Sequence, residues 1–163
     1  MQQTSTVRYT LPDEGELVTY HEHTLAELDL AYTAHKVEFW QGDACNLKEL
    51  FTGFDLVLAA NLIDRLYAPR RFLESVASRL NPGGLLVLSS PYTWLEEYTK
   101  RSEWIGGFKK DGESYTTLDG LKDILGERFE LVDVPQAVPF VIRETRRKHQ
   151  YTESEVTVWK LKA

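Results

Sequence analysis

Polar residues stand where apolar runs stop. VEFW (37–40) ends at Gln41-Gly42-Asp43, DLVLAA (55–60) runs into Asn61 and then Asp64-Arg65, and LLVLSS (85–90) leads into Pro91-Tyr92. Taken singly, Asp, Asn and Ser at such places are ordinary caps of strand-to-helix turns. Together, in one strand-and-helix pattern, they place carboxylate, amide and hydroxyl groups on a shared rim, and the carboxyl ends of strands are where open parallel sheets bind ligands. Two other groups carry less. His21-x-His23 would set two imidazoles on one strand face, but no third metal ligand is near in sequence and an exposed hairpin is the simpler reading. Cys45 has no evident base beside it and reads as a small buried apolar residue.

The elements that must position this rim follow from periodicity. Val7, Tyr9 and Leu11 alternate on one side, PDEG makes a turn, and Leu17, Val18 and Tyr20 return, which is a hairpin pattern. Thr24 and Glu27 have capping-box spacing, predicting a short helix from Thr24. VEFW and DLVLAA read as strands. A helix over roughly 69–80 presents Phe72, Leu73, Val76 and Leu80 on one face, and Asn81-Pro82-Gly83-Gly84 stops it. Strands apolar on both faces, alternating with helices, predict a parallel sheet covered by helices on both sides. Residues 92–116 are rich in aromatics and glycine and read as a partly helical lid or substrate loop, with Gly106-Gly107 a hinge or a simple turn. Leu118, Leu121, Ile124 and Leu125 form the inward face of a further helix, and FELVDV (129–134) and VTVWKLK (156–162) are the last strands, joined by a linking segment.

Composition bounds the partners. A chain of 163 residues with 42% hydrophobic content suits one domain with a core of its own. A formal net charge of −6 argues against a nucleic-acid surface, which needs clustered Lys and Arg. The one basic cluster, Arg143, Arg146, Arg147 and Lys148, reads as a solvated face. The single cysteine excludes an internal disulfide, and no apolar run is long enough to span a membrane, so a small-molecule partner and a cytoplasmic location are expected.

The order EFWQGDA, then GFDLVLAANLIDRLYAPRRFLESVASRLNPGGLLVLSSP, resembles the second half of a class I S-adenosylmethionine-dependent methyltransferase, an α/β Rossmann-like fold. The tail is more specific. SPYTWLEEYT, WIGGFKKDGESYTTLDGLK, VPFVIRETRRK and VTVWK resemble the C-terminal methyltransferase domain of the ovothiol biosynthesis enzyme, in the 5-histidylcysteine sulfoxide synthase and 4-mercaptohistidine N-methyltransferase family. The resemblance covers nearly all of the chain from Val7 and implies methylation of an imidazole nitrogen of 5-thiohistidine, giving ovothiol A. It implies cofactor contacts at Asp43, Ala44, Asn61 and Leu62. Asp64, Arg65 and Tyr67, with Tyr92, Thr93 and Trp94, then face the substrate. Arg143 either pairs with the substrate's carboxylate or is a surface cation. Asp64, Glu96 and Glu97 are candidate bases for the ring proton.

Methyltransferases of this class hold the cofactor through a Gly-rich turn after their first strand and an acid after their second. Neither stands before VEFW in this chain. The expectation is therefore a single partial domain: a hairpin-like insertion over 1–23, core elements over 36–91, the lid over 92–116, and the last helix and strands over 117–163. In the resembled fold the two missing strands lie between VEFW and DLVLAA, leaving the edge of DLVLAA open to VEFW or to another chain. Three readings stay open: a methyltransferase completed by its missing part or a neighbouring polypeptide, a methyltransferase for another small molecule, and a non-catalytic remnant serving as an interaction module.

Overall fold

The computed structural model describes residues 5–162, which form two compact units: one comprises the chain up to residue 41 with 141–152, the other 42–140 with the chain from 153 onward. In the first unit β1 (Thr6–Glu14) and β2 (Leu17–Thr24) make an antiparallel hairpin turning at Gly15, whose φ of 57° suits a residue without Cβ. The basic cluster is paired rather than merely solvated. Arg146 reaches Asp13 at 2.9 Å, Arg147 reaches Glu14 at 3.1 Å, and Lys148 pairs with Glu144. These are exposed pairs, each contributing about 0–1 kcal/mol.

Two predicted elements of this unit do not form. The capping box at Thr24 is present, with the Thr24 N–H donating to Glu27 at 2.7 Å and the Glu27 N–H donating to Thr24 Oγ1 at 3.2 Å. No helix follows it, and the turn ends at Asp29 with φ 54°. Leu28 and Leu30 are exposed, so there is no buried face to supply what a cap alone cannot. VEFW forms no strand, and its Val37, Phe39 and Trp40 are exposed. A strand needs a ladder partner for its backbone groups, and such a partner is not written in the segment's own residues.

In the second unit β3 (Phe54–Ala60), α1 (Pro69–Val76) and β4 (Leu80–Ser90) form a strand–helix–strand crossover, β3 and β4 running parallel with Leu58 opposite Val87. The helix stops a turn earlier than its spacing suggests: Ala77–Arg79 is a 3-10 turn, and Asn81-Pro82-Gly83-Gly84 already belongs to β4. α2 (Thr117–Leu125) starts at a capping box of Thr116 and Asp119 and buries Leu121 and Leu125, with Leu118 and Ile124 partly covered. β7 (Phe129–Leu131) and β9 (His149–Leu161) complete the sheet in the order β3-β4-β9-β7, and β8 (Gln136–Arg143) pairs with β9, residues 141–143 and 149–152 of these two strands being counted in the first unit. β8 occupies the stretch read as a linking segment.

The fold class is α/β and Rossmann-like, but the sheet departs from an all-parallel one. β9 runs antiparallel to β4 and to β7, so the sheet is mixed. Nor are both faces covered. α1 and α2 touch, and both pack on the face carrying Ala59, Leu86, Leu88 and Trp159. The opposite face carries Leu56 and Leu58, the latter 61% exposed, beside the unpaired edge of β3. An exposed apolar edge strand is an aggregation hazard.

Residues 92–116 contain no α-helix. The segment is pinned to the core by Trp94, whose Nε1 donates to Thr117 Oγ1 at 2.9 Å, and by Thr99, whose hydroxyl donates to the Leu66 carbonyl at 2.7 Å. It continues through a 3-10 turn (Arg101–Glu103) into a small hairpin of β5 (Phe108–Lys110) and β6 (Glu113–Tyr115). A Cβ on Gly106 would lie 2.2 Å from the Thr116 carbonyl oxygen, so the close backbone approach here needs a glycine.

One pH effect follows. The Tyr115 hydroxyl donates to Asp123 at 2.5 Å, and burial, with that bond and the Asp123 charge, pushes the phenol from 10.0 up to about 12. A raised folded pKa favours the protonated folded form, so this contribution is complete below the unfolded value and is lost as pH rises through the folded one. An absorbance titration of wild type minus Tyr115→Phe is expected to show a phenol ionising near pH 12. A difference transition at the ordinary tyrosine value would refute the assignment.

Candidate functional site

The ends of β3 and β4 build the rim within the second unit. Asn61 follows β3 with φ 49°, a left-handed conformation that Asn tolerates better than most residues. Its N–H donates to the Ser89 carbonyl at 2.8 Å, while its Oδ1 accepts from Ser154 Oγ at 2.7 Å and Ser89 Oγ at 3.3 Å. Tyr92 follows β4 with φ 52°, its N–H donating to Ser90 Oγ at 3.1 Å. An aromatic residue there costs about 1–2 kcal/mol, strain of the kind that collects at functional sites. The Tyr92 hydroxyl donates to Glu155 Oε1 at 2.8 Å. Burial first, then this bond and the Glu155 and Asp64 charges, hold the phenol protonated far above its ordinary range.

Between these strand ends lies a clamp. Asp64, 1% exposed, accepts at Oδ2 from the Thr93 N–H (3.1 Å), the Thr93 hydroxyl (3.0 Å) and Arg65 Nη1 (2.9 Å). Arg65 also donates to the Thr93 carbonyl at 2.9 Å and to Thr93 Oγ1 at 2.8 Å, with its guanidinium 5.0 Å from the Tyr98 ring centre. The clamp ties the loop after β3 to the loop after β4. Asp64 Oδ1 has no hydrogen-bond partner among the described residues, an unusual state for a buried carboxylate oxygen.

Asp43 stands at the head of the 3-10 turn Ala44–Asn46. One carboxylate oxygen accepts from the Cys45 N–H at 2.9 Å and the other from the Tyr67 hydroxyl at 2.8 Å. The bond to Asp43 raises the Tyr67 phenol. Asp43 is exposed, and each of its oxygens retains acceptor capacity. Ala44 and Leu62 pack against the core cluster, and burial raises the Cys45 thiol, in keeping with an apolar role.

The remaining candidates fall elsewhere. Trp94 is a core residue stacked on Trp104 at 6.0 Å and does not face the rim, because its indole N–H finds its acceptor on α2. Glu96 and Glu97 are exposed in the turn after it. Arg143 belongs to the first unit, where its Nε donates to the Thr145 carbonyl at 3.3 Å. Ser154 and Glu155 were missed in the sequence. Their only signal is the polar pair opening the apolar alternation of VTVWKL, and nothing local says which strand end they meet.

Residues 10–88 match the family described as "Methyltransferase domain". Over 55 residues the chain is 44% identical to the malonyl-[acyl-carrier protein] O-methyltransferase of Haemophilus ducreyi; that stretch is 33% of this chain and 20% of the relative. Among solved structures, one described as "Conversion of a Disulfide Bond into a Thioacetal Group during Echinomycin Biosynthesis" is 14% identical with a TM-score of 0.53, over 85% of this chain and 62% of that one. A SAM-dependent methyltransferase of Methanosarcina mazei is 20% identical with a TM-score of 0.50, over 84% and 78%. The [4+2]-cyclase SpnF is 16% identical with a TM-score of 0.52, over 85% and 61%. The structural likenesses show the fold, that of the class I methyltransferases. The family match over 10–88 adds sequence support for an S-adenosylmethionine-dependent methyltransferase.

Proposed function

We propose that the chain is an S-adenosylmethionine-dependent N-methyltransferase acting on the imidazole ring of 5-thiohistidine. The observation that carries methyl transfer is the β3–α1–β4 crossover with its polar strand ends, in a chain whose residues 10–88 match a methyltransferase domain. The acceptor is argued from the tail residues SPYTWLEEYT, WIGGFKKDGESY and VPFVIRETRRK.

The residues at the rim fit one side of the cofactor. Asp43, oriented by two hydrogen bonds yet exposed, suits an exocyclic amine, while Asn61 and Leu62 offer a polar and an apolar contact at the strand end. When bound, the cofactor supplies an activated methyl group, so the protein's task is binding, orientation and exclusion of water. Tyr67 holds Asp43, the Asp64–Thr93–Arg65 clamp fixes the loops on either side, and Asn61 keeps the chain after β3 against Ser89 and Ser154.

Calorimetric titration with S-adenosylhomocysteine tests this reading. Binding in the micromolar range, weakened about tenfold or more by Asp43→Ala and by Asn61→Ala, is expected from the loss of one charge-assisted bond or one oriented strand end. No binding by the folded protein would favour the second reading, a non-catalytic interaction module. The unpaired edge of β3 with exposed Leu56 and Leu58 is the observation on that side. Binding of the cofactor product without transfer to 5-thiohistidine would leave a methyltransferase for another small molecule.

A further inference from the structure

Glu155 of β9 lies opposite Ser90 of β4, at the strand end that leads into Tyr92. The Tyr92 hydroxyl donates to its Oε1 at 2.8 Å, and Oε2 makes no hydrogen bond among the described residues. A phenol held protonated can only donate here, so it orients the carboxylate without competing for its other oxygen. Arg65 pairs with Asp64 at 2.9 Å, whereas no Lys, Arg or His among the described residues forms an ion pair with Glu155. The second orphan acceptor is Asp64 Oδ1, on a carboxylate that is buried and whose charge is felt at the Tyr92 phenol. The surroundings of Tyr92 thus combine one free acceptor oxygen, on half-buried Glu155, with the charge of a buried carboxylate behind it. Such a place attracts an N–H or a cation and repels an anionic acceptor.

Resting on the methyl-transfer reading above, we propose that Glu155 receives the N–H of the methyl acceptor, which makes that acceptor a protonatable nitrogen compound and not a carboxylic acid. The acceptor nitrogen's lone pair forms the new N–C bond as the methyl–sulfur bond breaks and its electron pair stays on sulfur. The ring cation so formed gives up its N–H proton to Glu155 Oε2, which returns it to water. Tyr92 is a positioning residue in this scheme, holding the carboxylate in place from its strained φ.

The test uses the full chain, Glu155→Gln, Glu155→Asp and Tyr92→Phe, each checked for an unchanged melt. Binding of 5-thiohistidine is measured by calorimetry without cofactor, binding of S-adenosylhomocysteine is measured separately, and labelled-methyl transfer is compared for 5-thiohistidine, histamine and malonate. Glu155→Gln is expected to weaken 5-thiohistidine about tenfold or more while leaving S-adenosylhomocysteine unchanged. Glu155→Asp should recover part of the loss, and Tyr92→Phe should show a smaller one. Unchanged 5-thiohistidine binding in Glu155→Gln, an equal loss for S-adenosylhomocysteine, no binding of either nitrogen acceptor, or preferred transfer to malonate would each overturn the assignment. Wild type that binds no S-adenosylhomocysteine but discriminates 5-thiohistidine through Glu155 would instead refute methyl transfer and keep the nitrogen site.

Discussion

Gly120→Ala is expected to destabilise the protein by about 3 kcal/mol or more, although alanine is the better helix former by roughly 1 kcal/mol. Gly120 lies inside α2, and a Cβ there would stand 1.7 Å from the Ile105 carbonyl oxygen. That atom is backbone, so no rotamer change relieves the contact. α2 must draw away from residues 105–106, and Leu121 and Leu125, both buried on α2, lose their packing with it. The steric cost exceeds the propensity gain, which fixes the sign. Urea unfolding should show a lower midpoint with an unchanged slope, and a midpoint equal to or above wild type would contradict the packing described for this helix.

The second large effect is expected at Trp159. Its side chain is 1% exposed, on β9 between Leu86 of β4 and Leu131 of β7, and its indole N–H donates to Thr157 Oγ1 at 2.9 Å. Trp159→Ala removes the largest fully buried side chain among the described residues and leaves a cavity that α1 and α2 cannot collapse into without giving up their own contacts. A loss of about 3–5 kcal/mol is expected, a large share of the ~5–15 kcal/mol that typically holds a domain together. Trp159→Phe keeps most of the volume and should cost less. If the two variants unfolded at the same denaturant concentration, the buried volume at this position would not be what stabilises the sheet.

The same motif at two positions shows where local reading stops. Thr24 with Glu27 and Thr116 with Asp119 have the same spacing, and both make reciprocal capping bonds. Only the second begins a helix. Leu121 and Leu125 follow it and are buried, whereas Leu28 and Leu30 follow the first and remain exposed. A cap contributes about 1 kcal/mol, and nucleation costs more unless tertiary burial supplies the rest. VEFW fails as a strand for the parallel reason, since a strand depends on a partner that its own residues do not encode.

By itself the sequence determined the α/β class, the β3–α1–β4 crossover, the buried face of α2 and the polar ends of β3 and β4. Those are properties of local periodicity and of single breaks in it. The tertiary structure decided the rest. It made the sheet mixed, covered one face and left Leu56 and Leu58 open on the other, turned Trp94 into the core, and tied Arg65 to Asp64 and Thr93. It also brought Glu155 to Tyr92, 63 residues away, and Ser154 to Asn61, 93 residues away. Strand register decides such meetings, and register is set by the joint packing of a whole face, which no single segment carries in its own spacing.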